Sequence, residues 1–110
     1  MSKHLVIAPK TDLQYAPGEV QRIVNALGAT VLLDTVTIRT VVDTLRNPWE
    51  SIWFVGHGGA DGIALEDGLL TASMLVQCLR QSPPTLIVIN TCESIRIATR
   101  LHEIGTAVIC

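Results

Sequence analysis

The stretch "SIWFVG", residues 51–56, holds four apolar residues in a row and then a glycine. A strand with one face in water alternates apolar and polar residues. An unbroken apolar run is instead buried on both faces, as the strands of a helix-covered parallel sheet are. Four further stretches read the same way: "HLVIAP" at 4–9, "ATVLLDTV" at 29–36, "TLIVINT" at 85–91 and "TAVIC" at 106–110.

Helical periodicity fills the intervals. Val20, Ile23, Val24 and Leu27 recur three and four apart and stop at Gly28, and Ile38, Val41, Val42 and Leu45 repeat the pattern before Pro48. A third helix is expected to start near Thr71, a suitable N-cap, and to turn Leu75, Cys78 and Leu79 to one face. A fourth runs from about Glu93 to Gly105 with Ile97, Leu101 and Ile104 inward. Between the third strand and the third helix, "GIALEDGLLT" at 62–71 places two apolar pieces around Glu66-Asp67-Gly68. Asp-Gly is a turn signal, so a small β-hairpin insertion is expected after the third strand. Alternating strands and helices give an α/β fold: a parallel sheet with right-handed crossovers and helices on both faces.

Composition narrows the function classes. The 110 residues suit a single domain spanning 1–110, and 48% hydrophobic content argues against disorder. Eight Lys and Arg against ten Asp and Glu leave a net charge of -2 with no basic run, which argues against nucleic acid as a partner. No apolar segment approaches the roughly 20 residues that span a bilayer, and the N-terminus lacks a signal-peptide pattern, so no membrane partner is expected and a cytoplasmic location is. Cys78, Cys92 and Cys110 are odd in number and lack Cys-x-x-Cys spacing, which fits neither a disulfide framework nor a zinc site. No metal and no cofactor is expected.

Ligands of a doubly wound sheet bind at the carboxyl ends of the strands, and both His57 and Cys92 fall there. If the third and fourth strands are neighbours, about 5 Å apart, a thiol and an imidazole at their ends can face each other as nucleophile and base. Cys92 also opens the fourth helix, whose positive end favours a thiolate. Gly58 and Gly59 let the backbone approach a substrate, with the N–H groups of Gly58 and Cys92 forming an oxyanion hole. Asp12, Gly59, Asp61 and Glu93 are the candidate substrate contacts, the two aspartates as possible readers of a basic side chain. Cys78 is expected in the core, and His4 and His102 on the surface or at helix ends.

"FVGHGG" at 54–59, then "LEDGLLT" at 65–71, "LIVINTCES" at 86–94 and "EIGTAVIC" at 103–110 together resemble the CHAT domain, a branch of the caspase-like cysteine peptidases. The resemblance implies a three-layer caspase-like fold of flavodoxin-like topology with the strand order 2-1-3-4-5, with His57 as base and leaving-group acid, Cys92 as nucleophile, and the backbone of Gly58 and Cys92 as oxyanion hole. Thr91 stands where such domains usually carry alanine. The likeness covers residues 51–110 well and the first two strand–helix units by topology alone. Members usually continue with a further helix and strand, so the chain is read as a domain lacking both. Its edge strand near Cys110 is then expected to pair with a second copy or a partner domain.

The expected function is hydrolysis of peptide bonds through an acyl-enzyme, with a peptide or protein as substrate. The alternative is a catalytically silent caspase-like module that binds or signals to other proteins. A flavodoxin-like binding domain without thiol chemistry is the third reading. A phosphate cradle is disfavoured, because no Gly-Lys-Ser/Thr follows the glycines and no Gly-x-Gly-x-x-Gly follows the first strand.

Overall fold

The computed structural model describes residues 3–10, 14, 16–59, 61–90 and 95–109. The chain runs β1 (His4–Pro9), α1 (Ala16–Leu27), β2 (Thr30–Asp34), α2 (Ile38–Leu45), β3 (Ser51–Val55), β4 (Gly58–Gly59), β5 (Gly62–Leu65), β6 (Gly68–Leu70), α3 (Ala72–Leu79), β7 (Leu86–Asn90), α4 (Ile95–His102) and β8 (Ala107–Ile109). Five strands form one parallel sheet in the order β2-β1-β3-β7-β8. The fold is therefore α/β, and β7 and β8 are the fourth and fifth of the strands expected from the sequence.

Side chains of successive strand residues leave on opposite faces, and the two faces are covered unequally. On one face Leu5, Ile7, Ile52, Phe54, Ile87 and Ile89 pack with Val41 and Leu45 of α2, Leu75 and Leu79 of α3, and Ile97 and Leu101 of α4. On the other, Val6, Ala8 and Val55 pack with Ala16 and Ile23 of α1. Each fully buried Leu, Ile or Phe contributes about 1.5–3 kcal/mol of apolar burial, so the face with three helices carries most of the core.

The apolar runs of β1 and β3 are buried on both faces as expected, but β7 and β8 are not. Val88 aligns with Trp53 and Ile109 with Val88, which puts all three on the α1 face, where Val88 is half-buried and Ile109 is 57% exposed. The reason is reach: α1 contacts β1 and β3, and among the described residues no helix covers that face of β7 and β8.

Helix termini follow local rules. The Thr37 and Thr71 side chains accept the N–H groups of Thr40 and Met74, each at 3.2 Å, and so cap α2 and α3. The start of α2 has a second tie from far along the chain, since Ile38 N–H donates to Asp67 Oδ1 at 3.0 Å. Residues 58–70 form a separate three-stranded antiparallel sheet, β4-β5-β6. A third strand thus stands where the sequence reads as a glycine loop, because Gly58 and Gly59 pair with Ile63 and Gly62. The β5–β6 turn consists of Glu66 and Asp67, with Gly68 already in register opposite Leu65.

Candidate active site

β3 delivers His57 to the carboxyl end of the sheet. Gly56, buried between the strand and the histidine, has φ 154°, a value that side-chain-bearing residues seldom adopt. His57 follows as an exposed residue. Its carbonyl accepts the Ala64 N–H at 3.0 Å, which joins the histidine backbone to the small sheet.

That bond determines the direction of the next amide. Hydrogen-bonded and non-hydrogen-bonded pairs alternate along an antiparallel ladder. His57 opposite Ala64 is a bonded pair, so Gly58 opposite Ile63 is a non-bonded one. The Gly58 N–H is therefore directed away from β5, on the side of β4 where no described strand pairs.

Two glycines near it serve different ends. A Cβ on Gly62 would lie 2.7 Å from the Leu70 carbonyl oxygen, so β5 can lie on β6 there only without a side chain. A Cβ on Gly59 would meet nothing within 4 Å. Gly59 is thus not required by packing, and the space beside it is open.

β7 is the immediate neighbour of β3, and their last paired residues are Val55 and Asn90. His57 stands two positions beyond Val55, and Cys92 two positions beyond Asn90 in the sequence. The placements of Cys92, Glu93, Asp12 and Cys110 lie outside the described residues. Of the candidate residues, His57, Gly58, Gly59 and Asp61 are described, and they share one short segment at the carboxyl end of β3.

Asp61, exposed in the β4–β5 turn, lines an open cleft of about 460 Å³ together with Thr71 and Ser73 at the start of α3 and Arg96, Thr99 and Arg100 of α4. The two arginines were not singled out from the sequence, although their i, i+4 spacing on a helix with Ile97 and Leu101 inward marks one outward face. Asp67 was read only as a turn residue. Its partner Ile38 is 29 positions away, and no local pattern announces such a tie.

The remaining cysteine and histidines are set elsewhere. Cys78 is half-buried on α3, and burial pushes its thiol up, with the Arg46 guanidinium pulling partly back. His4, expected at the surface, is half-buried, with Nδ1 2.7 Å from the Ser51 hydroxyl, which also accepts the Trp53 indole N–H at 2.9 Å. This cluster lies at the amino end of the sheet, opposite His57. His102 is exposed on α4. Among the described residues, no three His, Cys, Asp or Glu side chains are grouped to hold a metal ion, and no helix is long and apolar enough to cross a membrane.

The family model of the CHAT domain matches residues 2–109. This chain belongs to the CHAT-domain family. The match extends the likeness through β1, α1 and β2, which the sequence motifs alone reached only by topology. CHAT domains are related to the caspase-like cysteine peptidases. No individual curated protein matches this CHAT domain.

Proposed function

We propose that this CHAT domain is a caspase-like cysteine peptidase, with His57 and Cys92 as its dyad and a caspase-like arrangement of sheet and insertion around them. The observation that carries the reading is the strand register. β3 and β7 are neighbours whose last pair is Val55 and Asn90, and the histidine and the cysteine each follow two positions later. Parallel neighbours lie about 4.8 Å apart, a spacing at which two side chains leaving equivalent positions come within reach of each other.

In this mechanism the Cys92 thiolate attacks the scissile carbonyl carbon and a C–S bond forms. The negative charge gathers on the carbonyl oxygen, where the N–H groups of Gly58 and Cys92 stabilise it. His57 protonates the amine as the C–N bond breaks, which leaves a thioester. His57 then takes a proton from water, the resulting hydroxide attacks the thioester, and the acid product leaves as the thiolate is restored. The outward direction of the Gly58 amide and the open space at Gly59 support these roles. Asp12 and Glu93 are assigned to substrate contact with Gly59 and Asp61.

The substrate is a peptide or protein, and an odd number of cysteines without Cys-x-x-Cys spacing favours action in the reducing cytoplasm. The β8 edge, with its exposed Ile109, is assigned to pairing with a second copy or a partner domain. A peptidyl acyloxymethyl ketone tests the dyad. Stoichiometric labelling that disappears in Cys92→Ala is expected, and a Cys92 that stays unmodified at millimolar reagent would overturn the reading.

A further inference from the structure

Among the described residues, the cleft between the start of α3 and α4 is lined by two guanidiniums and one carboxylate. Arg96 and Arg100 sit one turn apart on the outward face of α4, while Ile97 and Leu101 beside them are fully buried. Asp61 lines the same cleft and is the one carboxylate among its described lining residues. The Thr71 hydroxyl is committed to the Met74 N–H as the α3 cap. Selection by charge therefore falls to the two guanidiniums, which outnumber Asp61.

Arg100 has a neighbour just past the end of its own helix, Glu103, whose Oε2 is 3.9 Å from Arg100 Nε. Both side chains are substantially exposed, and such pairs are weak and readily exchanged for another carboxylate. A guanidinium presents paired N–H donors in a plane that matches a carboxylate, with shorter and stronger bonds than neutral partners make.

The distance to the proposed dyad follows from the chain. Four residues lead from His57 to Asp61, and an extended chain advances at most about 3.6 Å per residue, so the two lie within about 14 Å. That is the length of about four residues of a bound extended peptide.

We propose that this cleft binds an acidic side chain of the substrate peptide through Arg96 and Arg100, at a position within about four residues of the scissile bond. The proposal rests on the peptidase reading for its substrate, but the binding event does not require turnover. The sign of the charge is the opposite of what Asp61 alone suggests, because the tertiary structure sets Asp61 beside two arginines.

The test measures binding and cleavage separately. In the Cys92→Ala protein, fluorescence anisotropy is read with a fluorescein-labelled decapeptide carrying three glutamates and with its glutamine counterpart. The glutamate peptide is expected to bind about tenfold more tightly, a difference that added salt reduces. Arg96→Gln with Arg100→Gln is expected to erase the preference, and Asp61→Asn to enlarge it. Equal binding of the two peptides, or a preference that survives the double arginine substitution in a protein with an unaltered melting curve, overturns the proposal. With the wild-type protein and a peptide pool made from a digested proteome, Asp or Glu is expected at one position within four residues of the cut. Binding without cleavage leaves the cleft in place and removes the peptidase reading. Cleavage without acidic enrichment does the reverse.

Discussion

The Ala64 N–H donates to the His57 carbonyl at 3.0 Å, so the histidine's backbone belongs to the small antiparallel sheet while its side chain stays exposed. One consequence is that the Gly58 amide is directed away from β5.

This gives a paired test of the oxyanion assignment. Gly58→Pro removes the N–H without removing a bond to β5, and turnover is expected to fall about 100- to 1000-fold with little change in KM. Gly58→Ala keeps the N–H and should retain far more activity. A correctly folded Gly58→Pro protein with near-normal kcat would show that this amide holds no oxyanion.

Gly62 and Gly59 separate packing from function. Gly62→Ala forces a Cβ against the Leu70 carbonyl, where the contact atom is backbone and cannot swing aside. A loss of about 1–3 kcal/mol in urea unfolding is expected. Gly59→Ala meets no atom within 4 Å and should leave stability within about 0.5 kcal/mol. If Gly59 provides clearance for substrate, the same variant raises KM.

Asp67 ties the β5–β6 turn to the first turn of α2 through the Ile38 N–H. Asp67→Ala removes an acceptor and a negative charge from a helix N-terminus, and a cost of about 0.5–2 kcal/mol follows. Asp67→Asn keeps the acceptor and should recover most of the loss. Equal thermal shifts in the two variants would mean that the hydrogen bond contributes nothing.

Cys78 and Cys92 are expected to differ in reactivity. Burial raises the Cys78 thiol above its usual range, so at neutral pH it has less thiolate than an exposed cysteine and reacts slowly with iodoacetamide. Cys92, if it is the nucleophile, is labelled first, as peptide mass mapping would show. Because the unfolded chain loses the Cys78 proton before the folded one does, this group's contribution to stability falls as pH rises through the normal thiol range. Faster labelling at Cys78 than at Cys92 would count against an activated Cys92.

For the β8 edge, a dimer or partner complex should weaken in Ile109→Lys, which puts a charge on an exposed apolar position of an edge strand. Analytical ultracentrifugation reads the outcome for self-association. A wild-type chain that stays monomeric at high concentration removes the second copy as the occupant.

Sequence periodicity was a good guide wherever burial is local to an element. The apolar runs of β1 and β3 and the spacing of Val41 with Leu45 and of Ile97 with Leu101 all appear as buried faces. Thr71 caps α3 as its residue type suggests. The segment carrying His57, Gly58 and Gly59 was also legible, because a glycine run at the end of an apolar strand is itself unusual. It was less informative for β7 and β8, whose composition resembles that of central strands although α1 does not reach them.

The sequence by itself determined the α/β class, the approximate bounds of the helices and the family motifs at His57 and Cys92. Composition and period are properties of neighbouring residues, and those suffice for such features. Only the tertiary structure decided that Gly58 and Gly59 form a strand, that Asp67 caps a helix 29 residues away, and that Asp61 shares its cleft with Arg96 and Arg100. The first is pairing across a short turn that a run of glycines does not signal, and the other two depend on contacts between segments distant in the chain, which form when the sheet and its crossovers close and which no local pattern encodes.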